Sequence, residues 1–354
     1  MAPKFRVIDT GLREGRANIA FDQAMIEAHQ AGDVPDTIRF LHFPKTALIG
    51  RHQALSEEVQ LEYCRENDVG VVRRITGGGA IYFDEGQIGW ELAFHRQSLS
   101  ISTLPELTKA ICEAAAAGLS RLGINAKYRP RNDIEVDGRK LCGTGGFFDG
   151  DTLFYQGTLL IEMNPADMVA ALKIPAQKLA KRDLESAEQR VVTLHELLDG
   201  KVPSKDEIKE HMLAGFAEHL GIETEWGEAT AREEELAKEL FEEEIGTDEF
   251  VAEIDNPGAG DNVKEATHTG PGGTVKAFLR LEGPNNDRIR EVLVTGDFFV
   301  TPPRTILDLE AHLRGALVGD LESSVQEFFK QADVGLLTIQ PADFQKVILD
   351  AARS

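Results

Sequence analysis

The chain of 354 residues is short of several things, and each shortage closes off a class of protein. It holds no run of about 18 apolar residues, so no segment is expected to span a membrane. The N-terminus, Met1 through Asp9 (MAPKFRVID), lacks the apolar core of a secretion signal and reads straight into a strand. Cysteine is scarce: Cys64, Cys112 and Cys142 are an odd number, widely spaced and without a CxxC. That pattern argues against a disulfide framework or a zinc site and for a reducing cytoplasm. Basic charge is also short, with 38 Lys and Arg against 60 Asp and Glu and a formal net charge of -22. A nucleic-acid binder needs a basic face to neutralise phosphates, so neither nucleic acid nor membrane is expected as a partner.

What remains is a soluble globular composition, long enough for one large domain and a small one or for two of medium size. Acidic charge is concentrated over residues 228–253, where Glu233, Glu234 and Glu235 are followed by Glu242, Glu243 and Glu244. Against it stand Arg73, Arg74, Lys127, Arg129, Arg131, Arg139 and Lys140. An anionic ligand is expected at that basic cluster.

Apolar spacing predicts a first helix over 17–30, strands over 37–43, 46–49 and 88–94, and a long helix over 103–122 stopped by Gly123. Residues 132–162 alternate strand patterns with glycine turns, as in an antiparallel meander: 132–136, the turn Asp137-Gly138, 139–142, a Gly-rich loop, then 153–161. Helices are expected at 165–172, 204–220 and 229–244. Residues 255–273 (DNPGAGDNVKEATHTGPGG) read as a linker or mobile loop. Strands over 274–281 and 288–296 with helices near 305–316, 321–331 and 341–351 complete a small α+β module.

Three local patterns carry chemistry. Arg73-Arg74-Ile75-Thr76-Gly77-Gly78-Gly79-Ala80 brings two arginines to a glycine turn, whose free N–H groups and close backbone approach suit an anion or carboxylate; a structural tight turn explains the glycines equally well. Adjacent arginines on a strand face opposite ways, so at most one is expected to reach the ligand. In Arg131-Asn132-Asp133 and Asp137-Gly138-Arg139-Lys140, the Asp-Gly turn sets Lys140 at the start of a strand, a point charge suited to phosphate or a developing oxyanion. In Gln156-Gly157-Thr158-Leu159-Leu160 a glycine within a strand admits a ligand chain close to the backbone or marks a bulge.

Together, in this order, these segments resemble the lipoate–protein ligase A family. Ala47-Leu48-Ile49-Gly50-Arg51-His52-Gln53 resembles its "IGRxQN" segment, and Arg73 through Asp84 its "RRxSGGGAVxHD", with Phe83 where histidine is common. Arg131-Asn132-Asp133 stands for "GRND", Arg139 through Gly145 for "RKVSGSA", and Gln156 through Leu160 for "HGTLL". Lys178-Leu179-Ala180 and Arg190-Val191-Val192-Thr193 resemble later segments, and Gly296-Asp297-Phe298-Phe299 resembles part of the family's accessory domain.

The resemblance implies an α+β fold like that of biotin and lipoate ligases: a mixed sheet with surrounding helices over 1–245, a linker or mobile loop over 246–273 and an accessory domain over 274–354. It implies ATP-dependent activation of lipoate or octanoate to an acyl-AMP, then transfer to a lysine of a lipoyl domain or a glycine-cleavage H-like protein. Lys140 is the implied catalytic residue. Arg51, Arg73, Arg74, Gly77, Gly78, Gly79, Ala80, Asn132, Asp133, Gly143, Thr144, Gln156, Gly157 and Thr158 are implied to hold substrate and adenylate, with Asp133 near a phosphate-bound Mg²⁺. Charge reversal at Arg129 is expected to spare activation and slow transfer.

The sequence departs from the family where Cys142 replaces a serine, Gln156 replaces a histidine and Gly145-Gly146 replaces larger residues; a "W-x-x-G" entry to the accessory domain is missing. Cys142 opens an alternative. Octanoyl and lipoyl transferases of the same superfamily use a cysteine thioester and no ATP, although their nucleophile lies before the "ND" position, where residues 125–131 contain no cysteine. A non-catalytic lipoate binder is a further alternative.

Overall fold

The computed structural model describes residues 2–101, 103–173, 190–270 and 272–354. Lys178-Leu179-Ala180 lies outside the described residues. By internal contacts the chain divides into two units. The first comprises Met1–Leu48, Val59–Arg73 and Ile81–Val251; the second comprises Ile49–Glu58, Arg74–Ala80 and Ala252–Ser354.

In the first unit an eight-stranded sheet runs in the order Glu223–Trp226, Lys4–Leu12, Thr37–His42, Gln87–His95, Thr152–Leu160, Arg139–Asp149, Asp133–Val136 and Lys127–Arg129. The first two pairings are parallel and the rest antiparallel, so the architecture is the mixed α+β expected. One sheet face is covered by the helices Leu104–Ser120 and Lys205–Leu220, with Trp90 packing its indole 5.5 Å from the Phe216 ring. The other face meets the helix Gly15–Ala31, where Arg39 pairs with Asp22 at 2.6 Å.

Local chemistry accounts for these elements. Leu104–Ser120 starts at Thr103, whose hydroxyl accepts from the Glu106 N–H, and carries Pro105 in its first turn. Lys205–Leu220 starts at Ser204 and ends at Gly221, whose φ of 66° suits a left-handed cap. The two helices approach closely through small residues: a Cβ added at Gly118 would lie 2.5 Å from the His211 carbonyl oxygen, and one at Gly215 would lie 2.4 Å from that of Ala114.

The stretch read as a Gly-rich loop after Cys142 is strand instead. Arg139–Asp149 runs unbroken beside Thr152–Leu160. Its glycines sit where a side chain would collide, since a Cβ at Gly146 would lie 2.3 Å from the Phe154 carbonyl oxygen. Glycine here marks a crowded sheet rather than a turn.

The second unit carries the antiparallel strands Lys264–Gly270, Gly273–Glu282 and Arg288–Gly296, a short pair Val300–Thr301 and Gly335–Leu336, and the helices Thr305–Leu313, Leu321–Gln331 and Pro341–Arg353. Its core is built on Val275, Ala277, Leu279, Val294, Phe298, Leu309, Phe344 and Val347. The segment read as a linker carries Lys264–Gly270, paired along its length with Gly273–Glu282. Its side chains alternate between partly buried and exposed, so apolar content gave no sign of it.

Candidate active site

Lys140 is positioned by a tight hairpin. Asp137 and Gly138 take positive φ values of 51° and 82° between Asp133–Val136 and Arg139–Asp149, the turn their dipeptide favours. The Lys140 main chain is fixed from the other side, its carbonyl accepting the Val192 N–H at 2.9 Å. Its Nζ lies 2.8 Å from Asp133 Oδ1, and the other carboxylate oxygen accepts from Arg129 Nη2 at 2.7 Å. The lysine side chain remains 36% exposed, so its amine is held in place and still open to a ligand. Burial alone would push the Asp133 carboxyl up; the Lys140 charge and the Arg129 contact outweigh it and hold the group below its ordinary value. Gly143 leaves room for the amine, since a Cβ there would lie 2.5 Å from Lys140 Nζ.

Strand register divides the remaining expected site residues between the two faces. Gly143 pairs with Asp133 and Thr158, Gly145 with Gln156, and Gln156 with Glu91. Directly paired residues share a face, so Asp133, Gly143, Gln156 and Thr158 lie on the side of Arg39 and the helix Gly15–Ala31. Cys142, Thr144 and Gly157 belong to the opposite side and face the helix layer. There the Thr144 hydroxyl lies 3.3 Å from Cys112 Sγ and donates to the Asn132 carbonyl at 2.8 Å. Gly157 makes room for neither a ligand nor a bulge: its register is unbroken, and a Cβ would lie 2.2 Å from the Trp90 indole. Asn132 closes the same contact, its side-chain amide donating to the Thr144 carbonyl.

Arg73 and Arg74 are both interior. Arg73, in the first unit, donates to the carbonyls of Phe250 and Val251 at the end of the helix Asp248–Val251. Arg74, in the second unit, donates to the carbonyls of Gly77 at 2.7 Å and Gly79 at 2.9 Å, and burial pulls its guanidinium down to about 10. The glycine triplet lies against its own unit: Gly78 N–H donates to the Phe298 carbonyl at 3.0 Å, and a Cβ at Gly77 would lie 2.0 Å from that oxygen. Gly78 also has a φ of 93°. Ala80 is half-buried at the end of this loop, and Arg51 pairs with Glu253. The basic cluster is therefore no open patch. Arg129, Arg139 and Lys140 pair with acids, Arg73 and Arg74 are buried on carbonyls, and Lys127 and Arg131 are exposed.

Two features on the Lys140 face escaped sequence reasoning. Arg39, fully buried, bridges Asp22 and Glu91 at 2.6 and 2.9 Å. Burial and the neighbouring Asp22 push Glu91 well above the usual carboxylate range, and burial raises Asp22 as well, with the Arg39 charge opposing both shifts. Gln87, also fully buried, has neither amide atom hydrogen-bonded among the described residues. The signal was present in the alternation of Gln87, Gly89 and Glu91 with Ile88, Trp90 and Leu92, which puts polar residues on one face of a buried strand.

All three cysteines are buried thiols. Burial raises each above its ordinary value, Cys112 to about 11 and Cys142 further still. Among the described residues, no group of three or more His, Cys, Asp or Glu side chains could hold a metal, and no helix is long and apolar enough to cross a membrane.

Residues 14–217 match the lipoyl protein ligase A/B catalytic domain. Among curated proteins, the chain is 28% identical over 245 residues to lipoate-protein ligase A subunit 1 of Thermoplasma acidophilum, covering 66% of this chain and 91% of that one. It is 29% identical over 261 residues to the octanoyltransferase LipM of Kyrpidia tusciae, covering 67% and 94%. Among solved structures, the bipartite lipoate protein ligase of T. acidophilum, studied with its E2 lipoyl domain, superposes with a TM-score of 0.63 at 25% identity over 72% of this chain and 97% of that one. A lipoate-protein ligase A bound with ATP gives 0.60 at 26% identity, covering 72% and 100%. The LipL1 protein of P. falciparum in complex with lipoate shares the fold over 98% of this chain and 99% of its own, with a TM-score of 0.73 at 16% identity. With the family match spanning more than half its length and the sheet architecture in agreement, the chain belongs to the lipoyl protein ligase A/B family.

Proposed function

We propose that this enzyme is an ATP-dependent lipoate–protein ligase, which activates lipoate or octanoate as an acyl-AMP and passes the acyl group to a lysine of a lipoyl-acceptor protein. The observation that carries this reading is the burial of every thiol in the chain. A thioester route needs an accessible thiolate, and Cys64, Cys112 and Cys142 are all enclosed and held as neutral thiols. Likeness to an octanoyltransferase at 29% identity supports the alternative, and that burial weighs against it.

Activation joins two anions, so it needs positive charge at the α-phosphate and a fixed geometry. Lys140 suits both requirements, anchored by Asp133 and partly open to solvent. Gly143, Thr158 and Gln156 share its face and would floor the acyl site. When bound, Mg²⁺ would neutralise phosphate charge. The Asp133 carboxylate, engaged by Lys140 and Arg129, would share an oxygen with such a cation, and phosphates and water would supply the rest. The similar ligase bound with ATP supports the nucleotide assignment. The ligase studied with an E2 lipoyl domain supports a lipoyl domain or H-like protein as acceptor. Unpaired cysteines suit the cytoplasm.

Lipoate-dependent exchange of pyrophosphate into ATP tests the reading, because exchange requires a reversible adenylate. Exchange that is lost in Lys140→Ala supports it. Lipoate binding without exchange would make the protein a binder.

A further inference from the structure

We propose that Tyr155, on the sheet face opposite Lys140, is a positioning residue for the reaction, acting through Thr144 and Asn132 on the Asp133–Lys140 pair. This inference rests on the role given to Lys140 above.

The path is a chain of short polar contacts. Asp133 holds Lys140 Nζ at 2.8 Å. The residue before it, Asn132, is fastened to Thr144 three times: its carbonyl accepts the Thr144 N–H at 2.9 Å and the Thr144 hydroxyl at 2.8 Å, and its side-chain amide donates to the Thr144 carbonyl. A hydroxyl has one proton, and that of Thr144 goes to Asn132. Tyr155 must therefore donate to Thr144 Oγ1, which lies 2.5 Å from its phenol oxygen. Cys112 Sγ, from the helix Leu104–Ser120, lies 3.4 Å from the same phenol oxygen and can supply the next proton in line.

All these groups keep their protons at neutral pH. Burial pushes Tyr155 well above its ordinary value and Cys112 to about 11. The network is enclosed, with Tyr155 and Cys112 fully buried and Thr144 6% exposed, so water cannot replace a lost hydroxyl without a new cavity. It runs from the helix layer through the sheet to the turn residue Asn132, directly before the strand Asp133–Val136. Removing the phenol hydroxyl leaves packing intact and releases the Thr144 hydroxyl to turn away from Asn132.

The test is single-turnover acyl-AMP formation from lipoate and ATP by the full chain, with Tyr155→Phe, Thr144→Ser, Thr144→Val and Lys140→Ala beside the parent. A displaced lysine is expected to lower the rate about tenfold in Tyr155→Phe with the lipoate KM unchanged. Thr144→Ser, which keeps the hydroxyl, should retain more rate than Thr144→Val. Tyr155→Phe at the parental rate, or equal loss in the two Thr144 variants, overturns the proposal. With Lys140→Ala inactive, either result removes the network alone. An active Lys140→Ala removes the underlying reading and the network together.

Discussion

At the residue scale the chemistry proposed for Lys140 depends on what surrounds it. Gly143 is a sharp probe, because a Cβ there would intrude to 2.5 Å from the amine. Gly143→Ala should therefore lower the rate of acyl-AMP formation at least tenfold with little change in stability, as the lysine end can swing away. A burst assay for adenylate, read beside a melting curve, checks it. Arg129 shows how structure changes an expectation. Read as part of a basic cluster, its reversal should have slowed transfer alone. In the structure it grips Asp133 at 2.7 Å and Glu135 at 3.3 Å, so Arg129→Glu is expected to impair activation as well. Equal activation in variant and parent would contradict that pairing. The Asp133 value has a pH consequence. A carboxyl depressed in the folded state stabilises above its unfolded value, near 3.9, and loses that contribution as pH falls through its lower folded value. The anchor should thus persist from neutrality to about pH 4.

At the element scale, type and order were largely legible, because apolar spacing and caps such as Thr103 and Gly221 are local signals. Which face a strand residue serves was not. Thr144, Gly157 and Cys142 sit within family-like motifs, and only cross-strand register reveals that they turn from Lys140 toward the helices. The loop expected after Cys142 failed for a related reason: glycines forced by tertiary crowding look the same as glycines needed for a turn. Gly157→Ala should cost about 1–3 kcal/mol through overpacking against Trp90, measured as a lower urea midpoint with unchanged slope. In the second unit, burial raises Glu310 to about 7, aided by Glu253 and Glu291, while its carboxylate accepts from the Val294 N–H at 2.7 Å. A raised carboxyl favours the folded state while protonated, and that advantage fades as pH rises from its unfolded value through 7. Glu310→Gln keeps the acceptor and should raise the melting temperature at pH 8 but not at pH 4. A gain equal at both pH values would point to packing instead.

At the scale of the whole molecule, a net charge of -22 argued against a nucleic-acid partner but did not place the ligand. Of the basic cluster that stood out against it, Arg129, Arg139 and Lys140 are ion-paired, Arg73 and Arg74 are buried, and only Lys127 and Arg131 are exposed. Nor could the sequence show that Ile49–Glu58 and Arg74–Ala80 fold with residues 252–354, since that grouping depends on contacts more than 170 residues apart. Gly77 illustrates the point: its missing side chain answers to the Phe298 carbonyl, a constraint invisible at local range.

The central claim is that acyl transfer by this enzyme requires ATP and no thiol. Its most direct test is the intact mass of a lipoyl domain incubated with lipoate, Mg²⁺ and a variant in which Cys64, Cys112 and Cys142 are each replaced by Ser or Ala, with and without ATP. The account predicts lipoyl addition that depends on ATP, survives loss of all three cysteines and vanishes in Lys140→Ala. Transfer from an acylated carrier without ATP, abolished when the cysteines are removed, would contradict it.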